Sequence, residues 1–163
     1  MPKPCRIRSY RPEDRTLVTA MINALQEAEC AMEANRAHWA DGGRAYTDWT
    51  LDEVAAHDGA IFIAESEAGE AIGLATCWRA EDKTDITVRP EAQVHLYVSD
   101  LFVRPEWRGQ GIGVALLAEA EKHGRALGIG QMTIGVLAVN AAARRAYAKA
   151  GFEDYELLLR KPL

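Results

Sequence analysis

The chain has 163 residues and a formal net charge of −5, with 48% hydrophobic and 26% charged residues. Those proportions and that length suit a globular protein with a single domain over residues 1–163. No run approaches the ~20 apolar residues of a bilayer span, and an acidic balance without a long Lys/Arg run argues against a nucleic-acid surface.

Cys5-Arg6-Ile7-Arg8-Ser9-Tyr10 alternates as a first strand, and Pro12 suits a helix entry. Leu17, Val18, Met21, Ile22, Leu25, Ala28 and Met32 recur at helical spacing over residues 13–34. Residues 35–49, with Trp39, Tyr46, Trp49 and the Gly42-Gly43 pair, read as a loop or broken helix. Thr50-Leu51-Asp52-Glu53 is a capping box that predicts a short helix from Leu51 to His57. Ile61–Ala64 and Ile72–Trp78 flank Glu67-Ala68-Gly69-Glu70 as a hairpin. The charged stretch 80–90 reads as a loop, and His95–Val103 as a strand.

That strand runs into Arg104-Pro105-Glu106-Trp107-Arg108-Gly109-Gln110-Gly111-Ile112-Gly113, and an amphipathic helix follows with Val114, Leu117, Ala120, Gly124 and Leu127 on one side. Met132–Val139 predicts another strand, Asn140 a cap for a helix over Ala141–Ala150, and Tyr155–Arg160 a last strand. The predicted order is β-α-α-β-β-β-α-β-α-β, an α/β sandwich with a mixed and mostly antiparallel sheet and helices on both faces.

The glycine turn carries most of the functional information. Three alternate glycines let main chain approach a ligand, and the next helix aims its free N–H groups and positive dipole end at the same place. Neither the Lys nor the hydroxyl of a P-loop is present. A dinucleotide fingerprint fails as well, because the third glycine position falls on Val114 or Leu116.

Arg108-Gly109-Gln110-Gly111-Ile112-Gly113 fits the Arg/Gln-x-x-Gly-x-Gly/Ala signature of the GNAT superfamily of N-acetyltransferases. Asp100 to Trp107 resembles that family's strand and loop, and Asn140-x-x-Ala143-x-x-x-Tyr147-x-x-x-Gly151-Phe152 resembles its second signature. The resemblance implies transfer of acetyl from acetyl-CoA to a primary amine of a small molecule or peptide, by direct attack in a ternary complex. Backbone N–H groups of Arg108, Gly109, Gln110, Gly111, Ile112 and Gly113 would hold the pyrophosphate, with the Arg108 guanidinium beside them. Leu101, Phe102 and Val103 would lie on a bulged strand whose main chain pairs with the pantetheine arm, and Asn140 would contact that arm.

Tyr147 matches the residue that in relatives protonates the departing thiolate. Asp100 is the candidate base, although strand alternation places it opposite Ser99 unless a bulge turns it. Glu27, Glu29, Glu33, His95, Tyr97 and water are the alternatives. Trp39, Tyr46, Trp49 and Trp78 suit the wall of an amphipathic or cationic acceptor site, or simply a core. Arg104, Arg108, Lys122, Arg125, Arg144, Arg145 and Lys149 gather on the cofactor half.

No metal site is expected, since His38, His57, His95 and His123 stand apart and the three cysteines are scattered. With no apolar leader at Met1–Arg6, the reading is a cytoplasmic protein with no membrane partner. Homodimerisation is common in the family and would run through the sheet edge. The rival from another class is a non-catalytic acyl-CoA-binding sensor on the same fold.

Overall fold

A computed structural model describes residues 5–82 and 87–161. Its sheet has five strands in the order β1 (Cys5–Ser9), β2 (Ala60–Ser66), β3 (Ala71–Glu81), β4 (Val94–Val103) and β5 (Met132–Ile134). The first three pairings are antiparallel, and β4 pairs with β5 in parallel. Helices α1 (Arg15–Cys30) and α2 (Gly43–Ala56) cover one face; α4 (Ile112–Ala126) and α5 (Ala141–Lys149) lie on the other. A four-residue helix, α3 (Pro90–Gln93), leads into β4.

The middle of the sheet explains the helices on both sides. Ala71 to Trp78 of β3 are all buried, so this strand is apolar on both faces and needs a layer against each. Val18, Met21 and Ile22 of α1 pack on Ile63, Leu74 and Phe102. Opposite them, Ile112, Leu116 and Leu117 of α4 pack on Ala64, Ile72, Ala75 and Val98.

The corner where β1, β2 and the entry to α1 meet is tied by charge. Arg8 donates to both carboxylate oxygens of Asp14 at 2.6 and 2.8 Å and to Glu65 at 2.5 Å, while the Arg11 N–H donates to Asp14 at 2.8 Å. Asp14 is 7% exposed, and the Arg8 guanidinium holds its carboxyl below the usual carboxylate range.

Three expected elements differ. Helix α2 starts at Gly43, eight residues before the predicted Leu51, and the supposed capping residue Thr50 is buried inside it. The Gly42-Gly43 pair is a helix start here: a Cβ on Gly43 would meet the Trp39 ring at 1.9 Å, so the glycine admits the indole. β5 ends at Ile134 instead of Val139, and Tyr155–Arg160 forms no strand. Both shortfalls fall on the same side of the sheet, where β5 has a ladder partner on one edge only. In the charged stretch 80–90, Glu81 belongs to β3 and Pro90 to α3; residues 83–86 lie outside the described residues.

Candidate active site

The site forms where β4 loses a partner. β4 pairs with β5 at Leu96, Tyr97 and Val98, opposite Met132, Thr133 and Ile134. On its other edge it stays paired with β3 as far as Val103. From Ser99 to Val103 the edge of β4 toward β5 therefore has no strand beside it among the described residues. Main-chain N–H and C=O groups on such an edge are available for an extended ligand.

A bulge sits at the same place. Thr76 faces Asp100 and Cys77 faces Val98, so Ser99 is the extra residue on β4. The bulge resets the alternation. Leu96 and Val98 point to the α4 face, while Asp100 and Phe102 point to the α1–α2 face. Asp100 thus joins the side of the sheet that simple alternation from Val98 would have denied it.

There the carboxylate meets three hydroxyls. Ser99 Oγ donates to Asp100 Oδ2 at 2.5 Å, Thr76 Oγ1 donates to the same oxygen at 2.6 Å, and Tyr46 Oη donates to Oδ1 at 3.0 Å. Thr76 Oγ1 also accepts from the Asp100 N–H at 3.1 Å, and it lies 2.6 Å from Ser99 Oγ. Asp100 is 3% exposed, whereas Ser99 is only half-buried. Burial and the Asp100 charge push the Tyr46 hydroxyl well up, so it stays a donor. Thr76 is the member of this cluster that the sequence did not mark, and Tyr46 was expected only as an acceptor-wall or core aromatic. Thr76 is one strand residue among apolar neighbours, and Tyr46 stood in a stretch read as a loop.

The aromatic residues continue outward from this cluster. Tyr46 and Trp49 stand 5.5 Å apart, Trp49 meets Trp78 edge-on at 5.5 Å, and Trp78 meets Tyr97 at 5.4 Å. Trp78 is core, but Trp49 is 45% exposed and offers a ring to solvent. Trp39 packs between α1 and α2 against the core.

Beyond Val103 the chain turns into α4. Gly109 and Gly111 have φ of 75° and 84°, the left-handed region that an L side chain rarely adopts. A Cβ at either would point into open space. Gly111 is the helix N-cap, no side chain caps it, and the first helical bond runs from Ala115 N–H to the Gly111 carbonyl. The N–H groups of Ile112, Gly113 and Val114 precede that bond and have no intrahelical acceptor. Gly113 is different: it has ordinary helical φ, and its Cβ would only touch Leu101 and Val103 side chains at 3.8 Å.

Arg108 Nε donates to the Val103 carbonyl at 2.9 Å, fixing the guanidinium at the end of β4. The other cations form less of a patch than their number implied. Arg104 pairs with Glu70, Lys122 with Glu119, Arg125 with Glu121 and Arg144 with Asp154.

The far wall comes from α5. Asn140 Oδ1 accepts the Ala143 N–H at 3.0 Å, the expected cap. Tyr147 packs on Phe152 with ring centroids 5.9 Å apart, against the cluster that holds Met132 and Ile134. Burial, with a smaller contribution from the Glu29 charge, pushes its hydroxyl up to about 12. The Glu29 charge also reaches Tyr97, so this α1 carboxylate acts on tyrosines of both β4 and α5. No group of three or more His, Cys, Asp or Glu side chains is arranged to hold a metal ion among the described residues. Nor is any described helix long and apolar enough to cross a membrane.

Comparison with known proteins follows the same outline. The profile of the acetyltransferase (GNAT) family matches residues 17–152. An aminoglycoside N(6')-acetyltransferase type 1 of Stenotrophomonas maltophilia is 29% identical over 152 residues, covering 88% of this chain and 97% of that protein. Among solved structures, aminoglycoside acetyltransferase AAC(6')-Iy in complex with a CoA bisubstrate analogue superposes with a TM-score of 0.74 at 21% identity, over 99% of each chain. A predicted acetyltransferase of Clostridium acetobutylicum with acetyl-CoA gives 0.75 at 19% identity, over 98% of this chain and 96% of that one. With its open β4 edge, its glycine turn and a family match over most of its length, this chain belongs to the GNAT family and is an N-acetyltransferase.

Proposed function

We propose that residues 1–163 act as one catalytic unit that moves an acetyl group from acetyl-CoA to a primary amine of a small molecule, by direct attack in a ternary complex. The observation that carries this reading is the unpaired β4 edge from Ser99 to Val103, continuous with the uncapped glycine turn. The pantetheine arm would pair with the main chain of Leu101, Phe102 and Val103 and touch Asn140. The pyrophosphate would sit on the N–H groups of Arg108 through Gly113, with Gln110 beside them. A free β4 N–H aimed at the thioester oxygen would stabilise the oxyanion.

Proton traffic follows the hydroxyl cluster. Asp100 is too enclosed to meet an ammonium directly, so its proton would pass to Ser99 Oγ while Ser99 passes its own proton to Asp100 Oδ2. The neutral amine attacks the thioester carbon, the tetrahedral intermediate collapses with cleavage of the C–S bond, and the extra proton on the attacking nitrogen passes to the departing sulfur or to water. Tyr147, with its phenol near 12, is a weaker acid than a thiol at ~8.5. Complete proton transfer to sulfur is therefore uphill; the phenol would instead donate a hydrogen bond that strengthens as sulfur gains charge.

Direct attack is supported by the cysteines. Burial pushes the Cys77 thiol up to about 11 and also raises Cys30, so neither is poised as a thiolate nucleophile. For the acceptor, the aminoglycoside acetyltransferases among the relatives favour a compact molecule bearing several amines. Glu27 and Glu29 on the last turn of α1 and Glu33 just beyond it, with the Trp49 ring, would receive its cationic groups. The expected homodimer would use the free edge of β5. An amine panel with acetyl-CoA, read by thiol release and by mass of the acetylated product, tests the reading. Turnover on a polyamine supports it, whereas CoA binding without turnover on any amine would favour the sensor.

A further inference from the structure

The carboxylates proposed to receive the acceptor already hold partners from their own chain. Glu27 accepts the Trp39 N–H at 3.0 Å and lies 3.4 Å from His38 Nδ1. Glu33 accepts from the Asn35 N–H at 3.2 Å and from the Arg160 guanidinium at 3.2–3.3 Å. Glu29 lies 3.2 Å from Arg36 Nε, its one ion-pair partner among the described residues. Of the three, Glu29 is the one whose charge reaches both walls of the cleft, Tyr97 on β4 and Tyr147 on α5. The Arg36 charge acts on Tyr97 as well, in the opposite sense. The pair therefore stands at the mouth of the site, where a cationic acceptor would enter.

The stretch that carries Arg36 is fixed by its main chain. Residues 31–38 are neither helix nor strand, yet Gln26 Nε2 donates to the Ala37 carbonyl at 2.5 Å and Cys30 Sγ to the same carbonyl at 3.1 Å. The Arg36 N–H donates to the Glu33 carbonyl at 3.0 Å. The Arg36 side chain is different: it is 46% exposed, and Glu29 is what holds it. It can swing into water while the backbone beneath it stays in place. An exposed pair of this kind favours its closed form over the open one by only ~1.4- to 5-fold, so a competing cation can open it.

We propose that Arg36 is an internal competitor of the acceptor: its guanidinium occupies Glu29 until a second ammonium of a polyamine, not the reacting nitrogen, displaces it. This rests on the acceptor reading above and adds to it the residue that sets acceptor selectivity. The reacting nitrogen must be neutral to attack, so it leaves no charge for Glu29. A monoamine meets an occupied carboxylate and a like charge beside it, whereas a polyamine brings a replacement cation. Arg36 thus selects by repulsion, without touching the group that is acetylated. Occupation of Glu29 lowers the apparent affinity for a polyamine by the fraction of molecules in which the pair is closed, about two- to six-fold for an exposed pair.

Calorimetric titration of spermine, a linear polyamine, into the CoA-loaded protein reads the exchange without chemistry. Arg36→Gln should tighten spermine binding about two- to six-fold. In a Glu29→Gln background the same substitution should gain nothing, because the contested carboxylate is gone. Equal affinity in wild type and Arg36→Gln overturns the inference, as does weaker binding by the variant or no binding by either. A gain that survives Glu29→Gln overturns it too, since it would then be a general effect of net charge. Turnover on the amine panel is read separately. The Arg36→Gln gain without turnover on any amine would sink the catalytic reading and leave this inference standing; turnover without the gain would do the reverse.

Discussion

The two ends of the sheet are built differently. β1 to β4 form three long antiparallel ladders, and β3 is buried along most of its length between α1–α2 and α4. β5 contributes three residues to one parallel ladder, α5 packs on it from one side, and the chain beyond Phe152 is exposed. Each strand pattern in the first region ends in a full ladder, so local pattern and final structure agree. In the second region the pattern asks for a ladder that the single chain does not complete. The proposed active site lies on the border, because β4 has a free edge where β5 departs.

The proposed function divides along the same line. The region of long ladders holds the proposed base, Asp100, and the other holds Tyr147, the proposed donor to sulfur. Substitutions on the two sides should therefore differ in kind, and the largest effect belongs to Asp100. Asp100→Asn keeps the size of the side chain inside its hydroxyl cage but removes the proton acceptor. We expect kcat to fall by ~10²-fold or more at neutral pH, with partial recovery at high pH where more of the amine is already neutral. A loss equal at every pH, or none, would make Asp100 a structural tie between β4 and α2.

Asp14→Asn probes the region of long ladders without touching chemistry. Asp14 accepts charged hydrogen bonds from Arg8, and its loss should cost about 2 kcal/mol of folding stability. The folded-state pKa of Asp14 is depressed, so its contribution is present above the ordinary carboxylate pKa and is lost as pH falls through the folded value. Urea melts of wild type and variant should diverge at neutral pH and converge in acid. Parallel curves down to low pH would show that the Arg8 bridge contributes no linkage.

Tyr147→Phe tests the other side. The ring keeps its packing on Phe152, so stability should hold while kcat falls about tenfold. Because the phenol stays protonated up to about 12, that loss should be flat across the working pH range. An acyl donor with a more acidic thiol should suffer less, and equal loss for both donors would remove Tyr147 from the leaving-group step. The smallest effect is expected of Trp49→Ala. Trp49 is 45% exposed, and a cation–π contact there is worth ~0.5–1 kcal/mol, a few-fold in KM for a polyamine at constant kcat. An unchanged KM would place the acceptor elsewhere.

How much was legible in the sequence follows the same division. The glycine turn, the Asn140 cap, the hairpin and α1 were readable because each depends on a few adjacent residues. The entry to α2 was not, since Gly42-Gly43 looks like a break until the Trp39 ring is seen lying on Gly43. The position of Asp100 was open for a related reason: a bulge inverts alternation, and nothing in Val98-Ser99-Asp100 alone says that Ser99 is the residue left over. Tyr46 and Thr76 meet Asp100 from far along the chain, and no spacing rule joins them.

The proposal that the cosubstrate lies along the free β4 edge with its pyrophosphate on the glycine turn is tested most directly by calorimetric titration of CoA into Gly111→Val. At a φ of 84°, a branched side chain strains the turn from which the first α4 amides are presented. The account predicts a loss of CoA affinity of at least tenfold in a variant whose circular dichroism matches the wild type. CoA binding of wild-type strength in that folded variant would contradict it.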